Sequence, residues 1–271
     1  MAISEKIALL GKGLYKGIPD TLTLKAIPTA TELDYVGGED FQATMLDKIF
    51  PEAIEEQIDF RKLLEIDFHW VCRCLRILNY GPYYTTNALF CQDCDEISRG
   101  EYRVDLRSIA VKPLPEKFNN AITISKDEFI DFTGDIVLHL PTIQEAMNAA
   151  KDPLFKDSNG DMNLGFSRLC YKVTSIGGDS NMPVPDIKFA LTKGLSAADF
   201  QILKTRSADL TDYGLRGGGT AVCPKCHGKN AAFAAFVDDR FFRPTLGDLR
   251  AWKSDRDAER SNQPKLPTSQ G

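Results

Sequence analysis

Two short stretches carry the residues best suited to chemistry: Cys91-Gln92-Asp93-Cys94 and Cys223-Pro224-Lys225-Cys226. Each is a C-x-x-C knuckle. Two intervening residues let both sulfurs approach one ion at about 2.3 Å while backbone N–H groups turn toward them. Together the knuckles supply four soft thiolates, the ligand set of a closed tetrahedral zinc site. Four thiolates leave no position open for water, so the expected zinc is structural and has no catalytic role. His227, directly after Cys226, is an alternative fourth ligand. A thioredoxin-like redox role would need a knuckle at the head of a helix, and neither knuckle opens a helical pattern.

The remaining candidates are weaker. His69, Cys72 and Cys74 crowd one helix, but Cys72 and Cys74 point about 200° apart around it, so all three read as packing residues. Asp157-Ser158-Asn159-Gly160-Asp161 begins like a calcium loop. The glycine position then holds Met162 and the bidentate glutamate position Arg168, which leaves a polar turn. Three scattered histidines, with no G-x-S-x-G, Walker or H-E-x-x-H motif, give no catalytic constellation. The chain is therefore not expected to be an enzyme, and no small-molecule substrate is evident.

The knuckles need strands to hold them. An extended run over 83–90 enters the first, and the alternating stretch 101–109 follows it. Thr220-Ala221-Val222 leads into the second, and 231–237 leaves it. Strand, knuckle, strand, twice over, predicts a split zinc ribbon within an α+β fold. Ahead of it, 21–27 alternates like a strand, and Thr29-x-x-Glu32 reads as a capping box for a short helix stopping at Gly37-Gly38. A helix over 39–50 must break near Pro51. The strongest helix spans 60–79, N-capped by Asp59, with Leu64, Phe68, Val71, Cys72, Leu75 and Leu78 on one face and a stop at Gly81-Pro82.

The predicted domain comprises 1–109 and 216–249, an N-terminal helical region plus the ribbon. Between the knuckles, 110–215 forms an inserted α+β domain clipped at its base by the metal. It has strands near 120–124 and 134–140 and capping boxes opening at Ser125, Thr142 and Ser196. The charged, then Pro/Ser-rich stretch 250–271 reads as a flexible tail.

At 271 residues, 43% hydrophobic and 26% charged, the chain can bury a sizeable core. A net charge of -5 argues against a general nucleic-acid binder. A zinc-ribbon nucleic-acid-binding regulator is the main rival reading. It is opposed by the loops themselves: Lys225, His227 and Lys229 mark one knuckle as basic, but Asp93, Asp95 and Glu96 make the other acidic. No apolar run approaches the ~18–20 residues of a membrane span. The first ten residues lack the basic lead and long apolar core of a signal peptide. Seven cysteines, an odd number, fit metal-held thiolates in a reducing cytoplasm better than a disulfide framework.

The order of features is similar to one family. Gly11-Lys12-Gly13-Leu14-Tyr15 opens it, and a helix closes on Leu75-Arg76-x-x-Asn79-Tyr80-Gly81-Pro82-Tyr83-Tyr84 before the first C-x-x-C. Leu140-Pro141-Thr142 enters an inserted helix, and Cys223-x-x-Cys226 precedes Asp238-Asp239-Arg240-Phe241-Phe242-Arg243-Pro244. This resembles the baseplate hub family of T4-type contractile-tailed bacteriophages over roughly 10–246. The resemblance implies a structural or assembly component of the tail baseplate hub, located in the virion or in the host cytoplasm during assembly. Its partners would be other baseplate, hub and tail proteins, met through surfaces such as the Gly-rich N-terminal arm and 241–244, although the paired Phe241 and Phe242 also read as the cap of the ribbon core.

Overall fold

The computed structural model describes residues 4–28, 31, 40–215, 218–229, 231–234 and 239–261. The Thr29-x-x-Glu32 capping box and its Gly37-Gly38 stop lie outside them, as do Asp238 and the last ten residues of the expected tail. The fold mixes helix and sheet, an α+β arrangement. Strand β1 (Ser4–Ala8) pairs antiparallel with β2 (Thr21–Lys25), burying Ile7, Leu22 and Leu24 on one side.

The helix expected to break at Pro51 does not. Helix α1 (Phe41–Thr44), capped by Asp40 accepting from the Ala43 N–H, runs through a π-helical stretch, Met45–Ile49, into α2 (Phe50–Ala53). Proline has no N–H to donate and its ring crowds the carbonyl four residues back. The wider π turn ahead of it relieves both problems without ending the helix.

The long helix starts later than its pattern suggests. Asp59 caps only a single 3-10 turn, Phe60–Lys62. Leu63 and Leu64 are extended because their strip of backbone is claimed elsewhere. Ile143 N donates to Leu63 O, Glu65 N donates to Pro141 O, and Leu64 bridges Thr142. Helix α3 then spans Glu65–Tyr80 and stops where expected, at Gly81, whose φ of +79° suits glycine. Its buried face holds Phe68, Val71, Cys72 and Leu75, and Cys74 is also buried.

Strands β3 (Tyr83–Cys91) and β4 (Glu96–Asp105) form the long hairpin of a four-stranded antiparallel sheet. From β4 the chain enters the insertion through β5 (Val111–Lys112). There β6 (Ile122–Ile124), β7 (Ile136–Leu138) and β8 (Val173–Ile176) build a three-stranded sheet. Around it lie α4 (Ile143–Lys151), α5 (Leu164–Cys170), α6 (Val184–Gly194) and α7 (Ala197–Thr211). The capping boxes have unequal outcomes. Thr142 and Glu145 cap α4 reciprocally and Ser196 caps α7, but Ser125 and Glu128 open only one 3-10 turn. The chain returns through β9 (Gly214–Leu215), which pairs with β5. It completes the large sheet with β10 (Gly218–Ala221) and β11 (Ala231–Ala234), in the order β10-β11-β3-β4.

Two cores result. One gathers the N-terminal strands, α1 to α3 and the base of the hairpin. The other, around Ile124, Ile136, Leu138, Phe155, Leu169, Leu191 and Leu203, belongs to the insertion. Leu64 joins the second core and Ile143 and Met147 the first, so the two interlock along the 63–65 and 141–143 crossing. No described helix is long and apolar enough to cross a membrane.

One expectation for the ends of the molecule is corrected. The region from 250 is not a loose tail through Ser261: helix α8 (Leu246–Ser261) packs along β3, and a Cβ on Gly81 would meet Trp252 at 2.3 Å. Thr245 and Asp248 cap it reciprocally, and Asp248 is buried. Phe241 and Phe242 follow the core-cap reading of the paired aromatics. They are 1% and 4% exposed, packed against Tyr84, Phe41 and Tyr80. The Gly-rich arm is anchored where Leu10 N, Gly11 N and the Tyr15 hydroxyl all donate to the buried Asp67 carboxylate, while Lys12, Gly13, Lys16 and Gly17 stay exposed. A side chain at Gly11 would strike that carboxylate.

Candidate metal centre

The four predicted cysteines converge. The Sγ atoms of Cys91, Cys94, Cys223 and Cys226 all lie within 4.8 Å of one another. Cys91 Sγ is 3.6 Å from Cys226 Sγ, and Cys94 Sγ is 3.9 Å from Cys223 Sγ. Four sulfurs placed tetrahedrally about 2.3 Å from an ion are separated by about 3.8 Å. These spacings bracket that edge length, whereas a disulfide would need about 2.0 Å. The residues present fit a metal ion.

The sheet explains the convergence. Cys91 ends β3, opposite Glu96 on one side and Ala231 on the other, so each hairpin delivers its knuckle to the same end of the sheet. Both turns are built alike. The residue after the second cysteine is left-handed in each, Asp95 at φ +53° and His227 at φ +59°. Such a conformation is uncommon outside glycine and is tolerated best by Asn, Asp and His. In the second turn Lys225 N and Gly228 N point at Cys223 Sγ and Cys226 Sγ, each at 3.4 Å, while His227 N and Cys223 N close the loop on backbone carbonyls. Gly228 abuts Asp93 of the other knuckle so tightly that a Cβ there would meet its Oδ2 at 2.0 Å. The turns also share an ion pair between Lys225 and Glu96.

The N–H groups of Cys226 and Lys225 draw the Cys223 thiol down to about 7. Cys94, bonded first to Cys91 and then to the other sulfurs, is pushed up to about 12. Four thiolates this close repel one another, and a metal ion held among them would offset that repulsion. Cys91 and Cys223 are 1% and 0% exposed, so the inner half of the site is shielded, with Cys226 at the surface.

The other sequence candidates are not brought together. Cys72 and Cys74 are buried with thiols raised by desolvation, to about 12 for Cys74. Burial lowers the His69 pKa, and the ring stacks edge-on against Phe68. Asp157 is occupied by the N–H groups of Asn159 and Asp161, the polar turn expected.

One structural residue, at the far end of β3 from the cysteines, escaped the sequence reading. Arg76 is fully buried, and its guanidinium donates to the carbonyls of Gly81 (2.6 Å), Tyr83 (2.7 Å) and Phe241 (2.7 Å). It ties α3 to the root of β3 and to the segment that follows the ribbon. Its burial pulls the pKa down to about 10, against the favourable field of Asp248. The available signal was an arginine four residues beyond Cys72, beside the apolar face of a buried helix.

Comparisons of the chain with protein-family models, with curated proteins and with solved structures return no match.

Proposed function

We propose that this chain is a structural or assembly component of a contractile phage tail baseplate hub, a protein–protein scaffold whose ribbon is held by a structural zinc. The sequence resemblance suggests the setting. The observation that carries the scaffold reading is a cross-strand pair on the metal-clamped sheet. Phe90 and Ile97 lie directly opposite each other on β3 and β4 and are 42% and 62% exposed. Their neighbours Leu89, Cys91 and Ser98 turn inward. An aromatic–aliphatic pair left facing water on a rigid sheet is the kind of feature a docking partner covers. Zinc suits the ligand set because four thiolates favour a soft tetrahedral ion, and a closed shell rigidifies the ribbon without offering a reactive position.

The nucleic-acid reading finds little support in the loops. The lysine that would meet a phosphate, Lys225, is already engaged with Glu96, and Asp93 crowds Gly228. The test is mass spectrometry of purified phage tails together with affinity capture from infected cells. A fixed copy number in finished tails identifies a hub subunit. Absence from tails with capture of a hub protein identifies an assembly helper. Absence from both overturns the proposal.

A further inference from the structure

The insertion contains a cavity of about 700 Å³ between α5, α6 and α7, away from the cysteine cluster. Its walls are largely apolar, with Phe166, Leu191 and Phe200 among them, and among the described residues the only charged side chains lining it are two lysines, Lys172 and Lys204. No aspartate or glutamate among the described residues lines it. Lys172 is 6% exposed, and Lys204 is exposed. The Lys172 ammonium has neither a hydrogen bond nor a carboxylate within salt-bridge distance among the described residues. The acid whose field reaches it, Glu65, is paired with Arg168 at 3.6 Å. The Ser207 hydroxyl, also on the wall and 6% exposed, likewise has no partner among them. Asp199 does not supply the missing charge, because it is spent on the N–H groups of 130–132 and on Ser196.

We propose that this cavity is a binding site for a small amphipathic carboxylate, with an aliphatic or aromatic body against the apolar walls and its carboxylate on Lys172 and Ser207. A buried ammonium is costly unless paired, and the cavity offers it space for a counter-charge that the chain does not provide. The volume and the mostly apolar lining with few polar groups are those of small-molecule pockets. Of the two lysines only Lys172 is buried, Lys204 being exposed, and no arginine lines the wall, which matches a singly charged carboxylate better than a phosphate, which draws more donors. Desolvation lowers the Lys172 pKa to about 8, which still leaves it mostly protonated at neutral pH. The site is independent of the scaffold proposed above.

Isothermal titration of the full chain with decanoate, below its micelle concentration, tests the assignment. Decanoate is expected to bind one per chain, and decanol and acetate at least tenfold more weakly, because each lacks one half of the match. Lys172→Met is expected to fold and to lose at least tenfold in decanoate affinity. Ala208→Trp, which fills the cavity from an exposed position on α7, is expected to block binding. The proposal is overturned by no saturable decanoate binding, by decanol binding as tightly as decanoate, or by either variant binding like the unaltered chain.

Discussion

Stripping the metal from the cysteine cluster should release the second hairpin and leave the rest folded. Among the described residues, β11 is joined to β3 by two in-register pairs, Cys91 with Ala231 and Phe90 with Ala232. At about 1 kcal/mol net per ladder hydrogen bond, that seam contributes about 2 kcal/mol. The exposed Lys225–Glu96 pair adds about 0–1 kcal/mol. A four-thiolate metal site contributes about 10–16 kcal/mol, far more than both. The ligands Cys91 and Cys223 sit only at the edge of the first core and none lies in the second, so α3 and the insertion keep apolar contacts of their own. The assay is hydrogen exchange followed by mass spectrometry, before and after metal release by a mercurial with a chelating dye as readout. One metal ion per chain should be released. Amides of Gly218–Ala221 and Ala231–Ala234 should then exchange at least ~1,000-fold faster, equivalent to about 4 kcal/mol of lost protection, while those of Glu65–Tyr80 stay slow. Cys91→Ser and Cys223→Ser should reproduce the pattern without a chelator. Unchanged exchange in β10 and β11 after complete metal removal would refute the clamp, as would purified protein carrying no metal.

Three further perturbations follow from the same geometry. Arg76→Met should cost about 3–5 kcal/mol in urea denaturation by leaving three buried carbonyls without their donor, and Arg76→Lys should recover only part; a loss under 1 kcal/mol would contradict the latch. Because Lys172 has a folded pKa near 8, below its ordinary value, the unfolded chain holds the extra proton between about pH 8 and 10.4. Stability should therefore rise with pH in that window by about 3 kcal/mol more in the unaltered chain than in Lys172→Met, and parallel profiles would contradict the burial. The groups setting that window are Glu65, which favours the charged form, and Arg168, which opposes it. Gly81→Ala should cost at least ~2 kcal/mol and shift the Trp252 emission, because the residue sits at φ +79° and its Cβ would enter the indole; unchanged fluorescence would show that α8 does not pack there.

What could be read from the sequence was local chemistry. The knuckles, the Gly81-Pro82 stop and the Thr142-Glu145 capping box each depend on a few neighbouring residues, and each lies where its pattern places it. What was hidden depended on distant partners. Leu63 and Leu64 continue a helical stripe, yet their backbone is captured by 141–143, about eighty residues away. Pro51 reads as a breaker until the preceding turn widens. Helix α8 was masked by its charge, although Thr245-x-x-Asp248 and the Leu249, Trp252 spacing offered a capping signal and an apolar stripe. Phe241 and Phe242 look like surface anchors until Arg76 binds the carbonyl between them. Lys172 could not be found this way, because a lysine after a helix is ordinary until three helices close around it.

The separation of the two knuckles also has a consequence in time. Cys94 and Cys223 are 129 residues apart, so at about 5–20 residues per second a ribosome needs roughly 6–26 s to make the second pair of ligands after the first. Through that interval Cys91 and Cys94 are a half-site, open to oxidation and to any thiolate that reaches them. The one cysteine made in between is Cys170, which ends up wholly buried in the insertion core with its thiol pushed up to about 12. That core needs nothing beyond Leu210. An insertion that folds as it emerges withdraws the competing sulfur before the correct pair arrives, so the order of synthesis itself protects the site from wrong ligation.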